Sequence, residues 1–226
     1  HVICNLGVVG SNPTRGSRRK DVSRVGCILF LFFPSWEKVI FQLPMKNLIT
    51  VQQYVSPCGV LLLGALEGRL CLCDWLESRC RARVEERVAR LLQAEYRSGT
   101  DEVLAMAARQ LDEYFAGRRQ EFDVPLLPVG TDFQLAVWRE LLTIPYGEIC
   151  TYAAQAERMS MPRAVRAVAA ANGQNALSLF IPCHRVVGHG GRLTGYAGGL
   201  EAKRFLLDLE AARAPQVRAL NTGAAF

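Results

Sequence analysis

The sequence predicts a mixed α/β (α+β) fold, and three observations support that prediction. Residues 48–75 hold strand-like runs broken by short turns, and residues 131–213 hold short helices joined by tight turns. Between them lies an extended stretch, residues 123–130, marked by Pro125 and Pro128. The expected organisation is therefore a first domain over residues 45–128, a second over residues 129–213 and a tail over residues 214–226.

The strands are residues 48–55, 60–67 and 69–75, turned by Ser56-Pro57-Cys58-Gly59 and by Gly68 into an antiparallel meander. Val103, Leu104, Ala107, Leu111, Tyr114 and Phe115 then recur at helical spacing behind Thr100-Asp101, with Gly117 as the stop. Such an amphipathic helix needs the sheet to cover its apolar face. Past the linker, Thr131 and Gln134 form a capping box for a helix over residues 133–142, which ends at Pro145-Tyr146-Gly147. Thr151 caps a brief helix to residue 157, and Ser160 with Pro162 starts another that runs to Asn172-Gly173.

Two short helices so joined predict a helix-turn-helix. In the second, Arg163 and Arg166 stand among Ala164, Ala167, Ala169, Ala170 and Ala171. Small side chains let a helix backbone approach a nucleic-acid groove, and an arginine among them reaches phosphates or the base stack. Alanines also simply favour helix and tight packing, so composition alone does not decide between the two.

At 226 residues and 50% hydrophobic, the chain can bury an ordinary globular core. Its eight cysteines (Cys4, Cys27, Cys58, Cys71, Cys73, Cys80, Cys150 and Cys183) follow no framework spacing, which points to free thiols in a reducing cytoplasm. No structural metal is expected, because Cys71 and Cys73 are one residue apart and the histidines are only His1, His184 and His189. The net charge of +6 hints at a polyanionic partner, yet residues 1–44 hold four of those charges. A case for DNA must rest on where the arginines sit.

Residues 1–44 read as an extension without sustained periodicity, and Met45 is the first methionine. Gly10-Ser11-Asn12-Pro13 is what the T-arm of a tRNA gene would encode in one frame, so translated upstream sequence is the expectation. Basic residues before the apolar run 27–33 imitate a signal peptide but lack its small-x-small cleavage site. The run is also well short of the about 20 residues a bilayer requires.

Phe180-Ile181-Pro182-Cys183-His184-Arg185-Val186-Val187 sets a cysteine beside a histidine in an apolar run that reads as a strand. A lone buried cysteine is ordinarily structural, but the proline, histidine and valines make this string specific. It resembles the active-site signature of the O6-alkylguanine-DNA alkyltransferases, strongly over residues 133–210 and compatibly over residues 45–128. The resemblance implies a ribonuclease-H-like sheet domain followed by a winged helix-turn-helix-like domain. It implies a methylated-DNA-[protein]-cysteine S-methyltransferase of single turnover, a monomer without cofactor. Its partner would be double-stranded DNA carrying O6-alkylguanine, met in the minor groove, with O4-alkylthymine left open as a second lesion.

By position, the resemblance makes Cys183 the alkyl acceptor, His184 its water-linked base, and Glu210 the carboxylate that orients the histidine. Asn175 matches the brace beneath the site, and Tyr152 the tyrosine that helps rotate the nucleotide out. Arg166 matches the residue that fills the vacated stack, with Arg163, Ala167 and Ala170 on the same DNA face. Tyr196, Gly195 and Ala197 belong to the loop over the flipped base, and Val186 offers main-chain groups to the pocket. Two departures stand out: Asn175-Ala176 replaces an Asn-Pro found in many relatives, and Ala197 replaces a hydroxyl found in some. Both bear on alkyl-size tolerance and inhibitor sensitivity. His189, Arg139, Arg158 and Arg204 read as surface residues without a role.

The chemistry also follows from the residues. Attack on an alkyl carbon needs a thiolate, whereas a free cysteine with a pKa of about 8.5 is mostly protonated at neutral pH. If the run is a strand, Cys183 and His184 point to opposite faces, so a water must link them while Glu210 fixes the imidazole. The target atom is stacked inside the duplex and has to be flipped out. Two other readings use the same residues: a Cys-His hydrolase, and a non-catalytic helix-turn-helix DNA-binding protein whose Cys183 is buried or acts as a sensor. The hydrolase leaves the arginine-bearing alanine helix unexplained and shows no oxyanion-hole motif. The length of the motif match weighs against the second reading.

Overall fold

The computed structural model describes residues 47–213. The extension over residues 1–44 and the tail over residues 214–226 lie outside the described residues. β1 (Asn47–Ser56), β2 (Gly59–Leu66) and β3 (Arg69–Trp75) form the expected antiparallel meander. Two further elements extend it. α1 (Arg81–Leu92) crosses over to β4 (Ala94–Ser98), which pairs in parallel with β1 and gives the strand order β3-β2-β1-β4. Neither was expected from the sequence, for a physical reason: α1 is rich in Arg and Glu and buries only Val84 and Val88, and β4 buries only Ala94.

α2 (Glu102–Phe115) starts where Asp101 accepts the Val103 N–H at 2.8 Å and lays Leu104, Ala107, Leu111 and Tyr114 against Leu61, Leu63, Cys73 and Trp75. On the opposite face Val84 and Val88 of α1 meet Ile49 and Leu72. β3 is thus buried on both faces, which is why its sequence runs apolar without alternation.

α3 (Asp132–Leu141) carries the expected Thr131–Gln134 capping box. β5 (Cys150–Thr151) leads into α4 (Tyr152–Arg158), capped by Thr151 on the Ala154 N–H at 3.1 Å. The second helix of the pair is split: Pro162–Ala164 make a 3-10 turn, and α5 proper is Val165–Asn172. β6 (Val186–Val187) pairs in parallel with β5, and α6 (Gly199–Ala211) closes the described chain. A Cβ on Gly198 would sit 2.5 Å from the Trp75 indole, so α6 starts in close contact with β3 because that residue has no side chain. Among the described residues no helix is long and apolar enough to cross a membrane.

Candidate active site

The run 180–187 is not a strand until its last two residues. Its apolar character comes from burial on all sides, and tight turns consume the backbone hydrogen bonds. The Phe180 N–H donates to the Ser178 carbonyl at 2.9 Å across Leu179, whose φ of +72° is the strained side of a γ-turn. The Cys183 N–H donates to the Ile181 carbonyl at 2.8 Å across Pro182, whose φ −80° and ψ 64° are those of an inverse γ-turn. Proline fixes that φ and needs no N–H there. Cys183–Arg185 then form a 3-10 turn, in which successive side chains diverge by roughly 120°. Cys183 and His184 therefore part company because of a turn, not because of strand alternation.

Cys183, 8% exposed, opens onto a cavity whose wall includes Tyr152, Asn175, Gly195, Tyr196 and Ala197. These are five of the residues singled out in the sequence; Asn172, which was not, lines it too. Val186 is not in that wall, since its side chain is buried and its carbonyl accepts from Lys203 Nζ at 2.6 Å. Asn175 Nδ2 donates to Cys183 Sγ at 3.3 Å and to the Ile181 carbonyl at 2.9 Å, so one amide both braces the turn and touches the sulfur. Burial pushes the Cys183 thiol up, against the Asn175 hydrogen bond and the charge of Lys203, both of which favour the thiolate. Tyr152 is likewise pushed up by burial and stays a phenol. Its oxygen accepts from Thr194 Oγ1 at 3.4 Å, which leaves the phenolic hydrogen for another partner.

His184 turns inward, fully buried, with Nε2 2.8 Å from Glu210 Oε1. Burial pushes its pKa down despite Glu210, so the imidazole is neutral at pH 7. Because the carboxylate accepts, the Nε2 proton is assigned to this bond and Nδ1 keeps its lone pair. Nδ1 is buried and has no hydrogen-bond partner among the described residues. Glu210 is in turn saturated: Oε1 also accepts from Tyr114 at 2.7 Å and Arg185 Nη2 at 3.1 Å, and Oε2 from Arg185 Nε at 2.9 Å and the Gly147 N–H at 3.0 Å. Burial alone would raise its pKa, but the hydrogen bond from His184 and the bonds and charge of Arg185 outweigh that and hold Glu210 down at about 2. Tyr114, Arg185, Gly147 and Lys203 carry no role in the sequence reading. Tyr114 lies 96 residues from its partner and reads as helix core, so only the fold reveals it.

The exposed side of the helix pair holds Arg163, Arg166, Ala167 and Ala170, while Val168, Ala171 and Asn172 face inward. A buried amide pair locks the two helices: Asn172 Nδ2 donates to Gln155 Oε1 at 2.7 Å, and Gln155 Nε2 donates to the Val137 carbonyl at 3.2 Å. Trp138 Nε1 ties α3 to the end of α5 through the Ala171 carbonyl at 2.8 Å.

Two family models match this chain. The 6-O-methylguanine DNA methyltransferase ribonuclease-like domain matches residues 49–128, and the DNA binding domain of the same name matches residues 132–212, which include Arg166, Cys183, His184 and Glu210. The methylated-DNA–protein-cysteine methyltransferase of Methanosarcina barkeri is 44% identical over 155 residues, which are 69% of this chain and 92% of that protein. The Mycobacterium tuberculosis protein of the same name is 55% identical over 109 residues, 48% of this chain and 66% of that one. The solved structure of Mycobacterium tuberculosis OGT in complex with DNA is similar at a TM-score of 0.61 and 41% identity, covering 75% of this chain and 96% of that one.

Proposed function

We propose, because this chain belongs to the 6-O-methylguanine DNA methyltransferase family, that it repairs alkylated DNA by moving the alkyl group from guanine O6 to its own Cys183. One observation supports this above others. A cysteine at the floor of a cavity lies next to a buried His184 whose one nitrogen is held by Glu210 and whose other nitrogen is free to take a proton.

The partner is DNA, met through its minor groove by a monomer. The exposed face of α5 enters the groove, with Arg166 filling the space a flipped guanine leaves and Arg163 on phosphate. The flipped base sits in the cavity between Tyr152 and the loop of Gly195, Tyr196 and Ala197. His184 Nδ1 draws the Cys183 proton through a water, and the imidazolium is stabilised by Glu210. The sulfur attacks the alkyl carbon in line, a carbon–sulfur bond forms, and the carbon–O6 bond breaks with its electron pair going to guanine. Tyr152 hydrogen-bonds to the departing base and passes its phenolic proton to N1 as O6 becomes a carbonyl, and the proton that His184 took from Cys183 is released to solvent while the Tyr152 oxygen regains one from it. The balance is a thioether plus guanine, with no cofactor consumed. Residues 45–128 act as the scaffold and residues 129–213 hold the DNA and the chemistry. Free thiols suit a cytoplasmic protein.

Incubation with duplex O6-methylguanine DNA is expected to add the mass of one methyl group to the peptide containing Cys183, and label on any other residue would contradict the assignment. Arg166→Ala is expected to slow repair of duplex DNA about tenfold or more while leaving the reaction with free O6-benzylguanine nearly unchanged, because only the duplex has a gap to fill. Single-turnover rates on both substrates check this, and equal losses would remove the stack-filling role.

A further inference from the structure

The geometry points to Arg87, on the sheet side of the molecule, as a positioning residue for Cys183: it clamps the peptide bond from which the Asn175 side chain reaches the sulfur. Arg87 Nη2 donates to the Gln174 carbonyl at 2.5 Å, and Nη1 to Gln174 Oε1 at 3.2 Å. That carbonyl belongs to the same planar amide as the Asn175 nitrogen, and the nitrogen itself donates to the Asn172 carbonyl at 3.2 Å. Both edges of the plane are thus held, by α1 on one side and by the end of α5 on the other. The Asn175 side chain is fixed beyond it as well, since Oδ1 accepts from the Leu177 N–H at 3.0 Å and Nδ2 reaches Ile181 and Cys183.

The clamp is itself braced. The Arg87 guanidinium lies 5.5 Å from the centroid of the Trp138 ring, and Trp138 is tied to α5 through Ala171. Gln134 Nε2 donates to the same Gln174 Oε1 at 3.4 Å while its own Oε1 caps Thr131. Asp74 on β3 supplies a nearby counter-charge to the partly buried guanidinium. The turn has need of such support: residue 176 is Ala, which leaves φ free where a proline would fix it. A planar, permanently charged fork is the side chain suited to holding a carbonyl and an amide oxygen together. The consequence is that the sheet layer, which contributes no side chain to the cavity wall, still sets the donor on the nucleophile.

This inference rests on Cys183 being the alkyl acceptor, and the test separates the two claims. In Arg87→Ala the Asn175 donor loosens, so the pH midpoint for iodoacetamide labelling of Cys183, followed on its own peptide without DNA, is expected to move up. Single-turnover alkyl transfer is expected to fall about tenfold, the scale of one hydrogen bond to a charged group, for the methyl group of duplex DNA and the benzyl group of O6-benzylguanine alike. Duplex binding stays as in the parent. Gln174→Ala, which cuts the side-chain half of the clamp, is expected to give a smaller loss that does not add to that of Arg87→Ala. Measurements are made well below the melting temperature of each variant, and Gln174→Ala serves if Arg87→Ala does not fold. A lowered melting temperature with an unchanged labelling midpoint and unchanged transfer rate would overturn the positioning role, leaving Arg87 a packing residue. A parent protein that transfers nothing would refute the acceptor reading alone, because the labelling midpoint still reports on the clamp.

Discussion

Cys183→Ser is expected to abolish alkyl transfer while leaving the fold and the affinity for duplex DNA in place. Among the described residues that line the cavity, the Cys183 sulfur becomes the strongest nucleophile toward carbon once its proton leaves, and a hydroxyl in the same position is far harder to deprotonate and less reactive toward carbon. The loss should be at least about 1000-fold in single-turnover rate. Packing is barely altered, since serine is slightly smaller and its oxygen still accepts the Asn175 amide, so stability is expected to hold within about 1 kcal/mol. The Arg163 and Arg166 face is untouched. A serine variant that becomes methylated at another residue would show that the acceptor lies outside Cys183; one that loses DNA affinity would show that the cysteine shapes the groove contact.

Glu210→Gln is expected to cost both stability and rate. Glu210 is 1% exposed and neutralises Arg185, which is itself 7% exposed, so removing the anion leaves a buried cation without its partner. Breaking such a pair costs about 3–5 kcal/mol, or about 10 °C in melting temperature for a chain of this size. The amide also cannot stabilise an imidazolium at His184, and loss of general-base assistance should lower transfer about 100-fold or more. The pH dependence separates the electrostatic part. Glu210 is held at about 2 against 4.5 for a free glutamate, so its contribution is complete above about pH 4.5 and is lost as pH falls toward 2. That window corresponds to about 3 kcal/mol of stability. Urea unfolding of the parent at pH 7 and pH 3 should therefore show a larger loss on acidification than the glutamine variant shows. Equal acid sensitivity in the two proteins would mean that the carboxylate is not held down by its partners.

The parts of this fold that were legible in the sequence are those specified locally. β1 to β3 announce themselves by turn chemistry between short apolar runs, and α2 and α3 by periodicity behind a capping residue. α1 and β4 escaped because two valines on an arginine-rich helix, and one alanine on an edge strand, are too little apolar pattern to distinguish from a loop. The run around Cys183 misled in the other direction: it is apolar because it is enclosed, and the γ-turn at Pro182 and the strained Leu179 are conformations that periodicity does not encode. At the site, Cys183, His184, Asn175, Tyr152 and Glu210 could be picked out by their place in a specific pattern. Arg185, Tyr114 and Lys203 could not, because each acts on a group 17 to 96 residues away and looks in sequence like an ordinary surface or core residue.

Consumption of Cys183 in the reaction is tested most directly by the count of turnovers. Transfer of a methyl group gives a thioether, whose carbon–sulfur bond water does not cleave under mild conditions, whereas a hydrolase working through the same Cys and His would form a thioester made to be hydrolysed. Cys73 lies close enough to Cys183 to feel its charge, but burial keeps it a neutral thiol, and a thiol does not dealkylate a thioether. With O6-methylguanine duplex in large excess, repaired guanine should therefore rise in one burst and stop at no more than one equivalent per protein, in step with the methylated Cys183 peptide. Repair that continues through many equivalents, with Cys183 recovered unmodified, would contradict the account.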